Sequence, residues 1–341
     1  IRAFGREESE EAQFNAENTL LNKLQITAGR LGALMNPLNY VVINAAIILI
    51  LWLGAQSVNS GTLLSGDIIA LINYVSQILV ELVKLANLIV LLSKAVVSCG
   101  RIEQVLDTAP SMTFGTVTTG DSGEVIRFDH VSLTYQGASA ESLSDVSFSV
   151  NKGETVGIIG STGSGKTTLV SLISRFYDAT DGSVYYMGTN IKDWSKEAIR
   201  TSIATVMQKA QLFSGTIKSN LLFGNPKATE DDMWAALRAA QAEDFVKEKD
   251  GALNAVVEQG GRNFSGGQKQ RLSVARALTG RPDVLILDDS SSALDYATDA
   301  AMRNVIAHLS PKPTTFIVSQ RTTAIQNADK ILVLDDGHLV G

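Results

Sequence analysis

Apolar and polar positions divide the chain into two textures. In residues 1–30, Phe14, Leu20, Leu21, Leu24 and Ile26 recur at helical spacing among charged Arg6, Glu7, Glu8, Glu10, Glu11, Glu17, Lys23 and Arg30. This predicts a helix with one packed side. The stretch LNYVVINAAIILILWLGA, residues 38–55, follows, and no Asp, Glu, Lys or Arg occurs from Leu31 to Gly66. It is long enough to cross about 30 Å of hydrocarbon. Pro37 sits near its start, where a helix tolerates proline. Small polar residues 56–66 predict a turn, and a second apolar stretch runs from Ile68 to Leu92. The pattern therefore predicts two spans, about 35–56 and 67–90, and an amphipathic continuation over 93–107. Residues 108–123, TAPSMTFGTVTTGDSG, read as a linker. From residue 124 to 341, short β-branched runs alternate with helical segments, the mark of an α/β domain.

Charge adds an orientation. Arg30, Lys94 and Arg101 flank the apolar hairpin on one side, which the positive-inside rule assigns to the cytoplasm. Glu81 and Lys84 lie three apart on one helix face. They are either a polar feature within the span or a pair at the inner lipid boundary, where Lys84 snorkels; the second reading is preferred.

The composition fits a protein that partly meets lipid: 341 residues, 45% hydrophobic and only 19% charged. The net charge of −6 argues against a nucleic-acid partner. The single cysteine, Cys99, excludes an internal disulfide and a cysteine-rich metal site. The chain opens on Ile1 within a helical pattern and stops at Gly341 after a strand-like run, which reads as a segment of a longer chain.

The strongest chemical signal is Gly160-Ser161-Thr162-Gly163-Ser164-Gly165-Lys166-Thr167-Thr168. It fits G-x-x-x-x-G-K-[ST] and lies between the strand pattern ETVGIIG and the helix pattern TTLVSLISRFY, the context that motif requires. Glycines let backbone N–H groups turn inward around phosphates. The helix N-terminus adds partial positive charge. Lys166 neutralises β- and γ-phosphates, and the Thr167 hydroxyl can hold Mg²⁺. The second signal, VLILDD at 284–289, predicts a buried strand ending in two acids, of which Asp288 suits Mg²⁺. The third is Asn263-Phe264-Ser265-Gly266-Gly267-Gln268 followed by KQRLSVARAL. Glycines before a helix offer a second set of backbone donors for phosphate. One nucleotide does not need two full cradles from one chain, so this loop is expected to cap a nucleotide held by another.

With these motifs the sequence resembles the ABC transporters. It looks like the last two membrane helices of an exporter half followed by the family's nucleotide-binding domain. IRAFGREE resembles the cytoplasmic extension after the fourth helix, NFSGGQKQR the family signature, and SALD at 292–295 the D-loop. The resemblance implies an α-helical membrane hairpin, then an α/β P-loop NTPase domain with a helical signature subdomain. It implies ATP and Mg²⁺ as cofactors and four further helices ahead of this segment. Tyr135 then stacks on adenine. Gln208 touches Mg²⁺ and the attacking water. Glu258 falls where exporters carry a cross-subunit coupling segment, a partial match.

Two positions depart from the family pattern. Asp289 stands where active members have the Glu that polarises water, and its carboxylate sits one methylene back. Gln320 stands where they have His; it can hydrogen-bond a γ-phosphate but cannot carry a proton or a positive charge. Both changes weaken the same step, whereas Ser265, Gly266, Gly267 and Gln268 are intact. The expectation is therefore the degenerate half of a heterodimeric exporter. Its partners would be a second half with normal Glu and His, the lipid bilayer of the cytoplasmic membrane, and a hydrophobic small-molecule, lipid or peptide substrate. The alternatives are a homodimeric exporter that hydrolyses slowly with Asp289 as base, and a non-transporting protein that uses ATP as a clamp.

Overall fold

The computed structural model of the protein describes residues 1–290 and 293–341, and at Met35 and Asn36 the backbone alone. The described chain forms two compact units, Ile1–Ala109 and Pro110–Gly341.

The first unit is a helical hairpin of α1 (Glu7–Asn59) and α2 (Ser65–Leu106). Both are long and apolar enough to cross a membrane. At 1.5 Å per residue, α1 extends about 80 Å, more than twice the hydrocarbon thickness, so its polar N-terminal half is surplus to a crossing. Leucine, isoleucine and valine side chains are exposed along both helices, the pattern of a surface whose solvent is lipid. The turn is closed by Asp67, whose carboxylate accepts from the Leu64 amide at 3.0 Å. Next to it Gly54 abuts Ile68, where a Cβ would lie only 2.9 Å from the isoleucine side chain. Glu81 and Lys84 form an exposed pair, 2.7 Å apart.

Pro37 departs from expectation. It lies well inside α1 rather than near a helix start. A proline there removes one hydrogen bond, the one its N–H would have given the Ala33 carbonyl. Restarting a helix means nucleating again, which is the costly step in helix formation, so one continuous helix over the polar and apolar stretches wins.

In the second unit the strands are, in chain order, β1 (Glu124–Leu133), β2 (Leu143–Asn151), β3 (Thr155–Gly160), β4 (Asp181–Tyr186), β5 (Thr189–Asn190), β6 (Ile203–Val206), β7 (Gly215–Thr216), β8 (Val256–Val257), β9 (Val284–Asp288), β10 (Thr314–Val318), β11 (Lys330–Asp335) and β12 (His338–Leu339). The central sheet has the order β12-β11-β3-β10-β9-β6, and all pairs except β11·β12 are parallel. Every residue of β9 and β10 is buried. Continuous apolar runs are what a parallel strand covered on both faces demands. A smaller antiparallel sheet, β2-β1-β4-β5, packs into a shared core through Phe128, Val146 and Val184 with Leu169 and Ile173 of the phosphate-loop helix, Lys166–Ile173. A second core gathers Leu237, Val246, Val274 and Leu278 from helices between β6 and β9, the helical subdomain expected around the signature.

Register places the site. Val318 of β10 lies opposite both Ile158 of β3 and Asp288 of β9, and Val206 of β6 lies opposite Leu287. The carboxyl ends of β3, β10, β9 and β6 therefore sit side by side, the edge where ligands bind in open α/β sheets.

The segment 108–123 divides at Ala109. Its later part belongs to the second unit: the Gly115 amide bonds the Lys192 and Trp194 carbonyls, and the Val117 amide bonds Asp193.

Candidate functional site

Four loops leave those adjacent strand ends, and each brings one predicted group to a single cleft of about 350 Å³. β3 delivers the phosphate loop, β9 delivers Asp288 and Asp289, β10 delivers Ser319 and Gln320, and the chain after β6 delivers Gln208. The volume lies within the range of small-ligand sites.

The phosphate loop turns through two left-handed glycines, Gly163 at φ 87° and Gly165 at φ 96°. Glycine takes this conformation at no steric cost. At Gly165 a Cβ would also meet the Ser142 carbonyl at 2.7 Å. The Lys166 ammonium donates to the Gly160 carbonyl at 2.8 Å and to that of Ser161. Burial pulls its pKa down, opposed by the nearby charges of Asp288 and Asp289. Thr168 lies two positions further along the helix and accepts the Tyr135 hydroxyl at 3.2 Å.

Asp288 is 5% exposed, and its nearest partner is the Thr167 hydroxyl at 3.5 Å. Burial, and then the charge of Asp289, raise its pKa, while Thr167 and Lys166 oppose the rise. A buried carboxylate beside a hydroxyl is an all-oxygen donor set, which suits a hard divalent cation such as Mg²⁺. The residues therefore fit that ion. A raised carboxyl pKa means that the folded chain binds a proton more readily than the unfolded chain. This group consequently opposes folding above its ordinary pKa of about 3.8, and relief comes as pH falls through the raised value. Asp288→Asn is expected to raise the melting temperature of the nucleotide-free protein at neutral pH and to weaken Mg-ATP binding. Thermal unfolding with and without Mg-ATP checks both signs; a lower nucleotide-free melting temperature would contradict them.

Asp289 has a left-handed backbone, φ 45°, a conformation Asp tolerates better than most residues. The Gln208 amide donates to its carboxylate at 2.9 Å, so the expected water-handling pair is already in contact. Gln320 is exposed at the cleft, and the Ser319 hydroxyl next to it accepts the Arg321 amide at 3.0 Å. Tyr135 does not line the cleft. Its ring meets Tyr177 edge-on, centroids 5.0 Å apart.

Ser265, Gly266, Gly267 and Gln268 also do not line this cleft. Ser265 caps the 14-residue signature helix Gly266–Thr279. Its hydroxyl accepts the Gln268 amide at 3.3 Å, and the Gln268 side chain accepts the Ser265 amide at 3.0 Å. This reciprocal capping box satisfies the Ser265 and Gln268 amides and holds the start of the helix in shape. Glu258, further back, is steadied by Asn263, whose side chain accepts the Glu258 amide at 3.1 Å. Of SALD, Ser292 lies outside the described residues; Asp295 caps the helix Tyr296–Ala307 through the Thr298 amide at 2.9 Å.

Five cleft residues escaped sequence reasoning: Glu141, Ser142, Val318, Asp336 and Gly337. The last two form the two-residue turn between β11 and β12, with φ 42° and 81°. Asp-Gly is a strong hairpin signal. Nothing local says that this hairpin abuts the phosphate loop, where the Gly337 amide reaches the Ser164 carbonyl at 3.3 Å.

Two family models match the chain: the ABC transporter domain over residues 143–292 and the ABC transporter transmembrane region over residues 1–82. All of the chain aligns at 40% identity with an uncharacterized ABC transporter ATP-binding protein of Mycobacterium tuberculosis H37Rv, covering 59% of that protein. It aligns at 33% identity with the beta-(1→2)glucan export ATP-binding/permease protein of Bartonella henselae, covering 57% of it. A solved structure described as a bacterial Atm1-family ABC exporter with ATP bound superposes with a TM-score of 0.87 at 26% identity, over the whole of this chain and 60% of that one. The chain thus spans about three-fifths of the length of the relatives it matches. An ATP-type phosphate loop at the edge of an α/β sheet, preceded by membrane-length helices, thus gives this chain the two domain types of the ABC transporters, the transmembrane region and the ABC transporter domain.

Proposed function

We propose that this chain is the ATP-binding and permease subunit of an ABC exporter, that it couples ATP binding and hydrolysis to moving a substrate outward across the cytoplasmic membrane, and that it is the catalytically weak half of a heterodimer. One observation carries the reading. Asp289 and Gln320 stand in the cleft at the positions that resemble the family's Glu and His, beside a complete phosphate loop and Asp288. Lys166 and the glycine-rich backbone would hold the β- and γ-phosphates. Thr167, Asp288 and Gln208 would hold Mg²⁺, which would supply charge neutralisation on those phosphates. Tyr135 would swing from Tyr177 onto adenine, a motion that costs only an edge-to-face contact of about 1 kcal/mol and one hydroxyl bond. The retracted carboxylate of Asp289 would polarise water poorly, so the nucleotide is held for longer than it is cleaved.

The capping box at Ser265 and Gln268 supports the other half of the proposal. It keeps the amides of the signature helix fixed, as a cradle for a partner's γ-phosphate requires, and these groups lie away from the chain's own cleft. The substrate is expected to be hydrophobic, because the apolar stretches 38–55 and 68–92 carry no charged side chain besides Glu81 and Lys84. The glucan in the name of the Bartonella relative, a hydrophilic polysaccharide, is the contrasting substrate to include in transport assays. The test is ATPase activity with a co-expressed partner half, comparing Asp289→Asn here with Glu→Gln at the matching partner position. The partner change should abolish turnover and the Asp289 change should leave most of it. The reverse result would make this chain the hydrolysing one, and full activity of the purified chain alone would favour the homodimer.

A further inference from the structure

At the end of the phosphate-loop helix, Arg175 is 1% exposed and has a left-handed backbone, φ 47°. The helix closes there as a Schellman motif: the Arg175 amide bonds the Leu172 carbonyl at 3.0 Å and the Phe176 amide bonds the Ser171 carbonyl at 2.9 Å. Glycine normally fills this position, and a long side chain in this backbone conformation persists only when its surroundings hold it there. The surroundings here are specific. Nε donates to Asp178 at 3.0 Å, Nη1 donates to the Ile191 and Lys192 carbonyls at 3.1 and 3.2 Å, and Nη2 donates to the Thr113 carbonyl. Phe114 covers the guanidinium face at 4.3 Å.

Thr113 and Phe114 belong to the stretch that follows the helical hairpin in the chain. The next residues continue the attachment. The Gly115 amide bonds the Lys192 and Trp194 carbonyls, each at 3.1 Å, and the Val117 amide bonds Asp193 at 3.0 Å. The Ser195 amide bonds back to Val117 at 2.8 Å. Gly115 lies so close to Asp193 that a Cβ there would sit 2.0 Å from its carbonyl oxygen.

We propose that Arg175 is a clamp which fastens residues 113–117 to the base of the phosphate-loop helix, so that the chain's pivot between its two units lies ahead of Thr113 and not within 113–123. Movement of the phosphate-loop helix is then carried rigidly to the chain leading to the membrane helices. That consequence rests on the transporter reading; the clamp itself does not. Lysine cannot replace the arginine, because one ammonium cannot meet acceptors on three separate segments that a planar fork reaches together.

The test is hydrogen–deuterium exchange on the full chain in Arg175→Lys and, separately, in Gly115→Val, which forces the segment off without touching the arginine or the cleft. In each variant the amides of residues 115 and 117 should exchange at least about tenfold faster, while β3 and the phosphate-loop helix keep their protection. ATP affinity should stay within about twofold, and with a partner present transport per ATP should fall. If Arg175→Lys loosens the whole unit, Gly115→Val decides. The clamp is overturned if these amides exchange freely in the natural chain, if they stay protected in Gly115→Val, or if the segment is freed without lowering transport per ATP in an assembly that transports. Absence of transport by the natural assembly would instead count against the exporter reading, and the exchange result would still decide the clamp.

Discussion

A chain carrying Asp289→Glu and Gln320→His together is expected to hydrolyse ATP on its own about a hundredfold faster than the natural chain, the scale of rate lost when a catalytic group is misplaced by about 1 Å. Asp289 lies in the cleft and accepts from Gln208 at 2.9 Å, so a carboxylate one methylene longer stays in the same cleft once Gln208 shifts to receive it. Gln320 is exposed at the cleft, so a histidine ring there has room. It adds a group that can carry charge near neutral pH. The single changes should each recover less than the pair, because the two groups act on the same step and their effects are coupled. Glu is a worse occupant than Asp of the left-handed backbone at 289, so the double variant should melt slightly lower even as it turns over faster. Steady-state phosphate release from the purified chain measures this. No gain in the pair, or a natural chain that is already fast, would remove the case for a degenerate site.

The second large effect is on binding. Lys166→Ala is expected to weaken ATP binding roughly a hundredfold, since a hydrogen bond to a charged group contributes about 1.5–3 kcal/mol and two phosphates share this one. The ammonium is held over the loop by the Gly160 and Ser161 carbonyls, and burial depresses its pKa. An ATP phosphate would relieve that depression and restore the full charge, so binding should take up protons wherever the nucleotide-free amine is partly neutral. The loop itself should survive, because Gly163 and Gly165 set its backbone and Ser164 still anchors it to Gly337. Titration calorimetry in two buffers of different ionisation enthalpy reads affinity and proton uptake together. Near-natural affinity would mean that the backbone amides alone hold the phosphates.

Local pattern was sufficient for most elements. The β3–loop–helix unit, the buried run ending at Asp288 and the capping box at Ser265 and Gln268 are each written in contiguous residues, because a strand, a tight phosphate turn and a helix cap depend on neighbours in sequence. The two membrane-length helices were legible for the same reason. Pro37 was misread because its local penalty was weighed without the cooperative helix on both sides of it. The predicted linker contains residues that its turn-rich composition could not reveal as packed: Phe114 gains its role from Arg175, and Gly115 from the carbonyls of Lys192 and Trp194, all far along the chain.

Tertiary structure alone decided which motifs share a site. The strand order β11-β3-β10-β9-β6 is a non-local fact, and only that order sets Lys166, Gln208, Asp288, Asp289 and Gln320 around one cleft while leaving Ser265 and Gln268 outside it. It also brought in Glu141, Ser142, Asp336 and Gly337, which carry no chemical motif of their own. The sequence by itself determined the chemistry available, because residue type and local spacing settle what a loop can bind. The fold decided which of those groups could act together, because burial and parallel register act between segments more than a hundred residues apart.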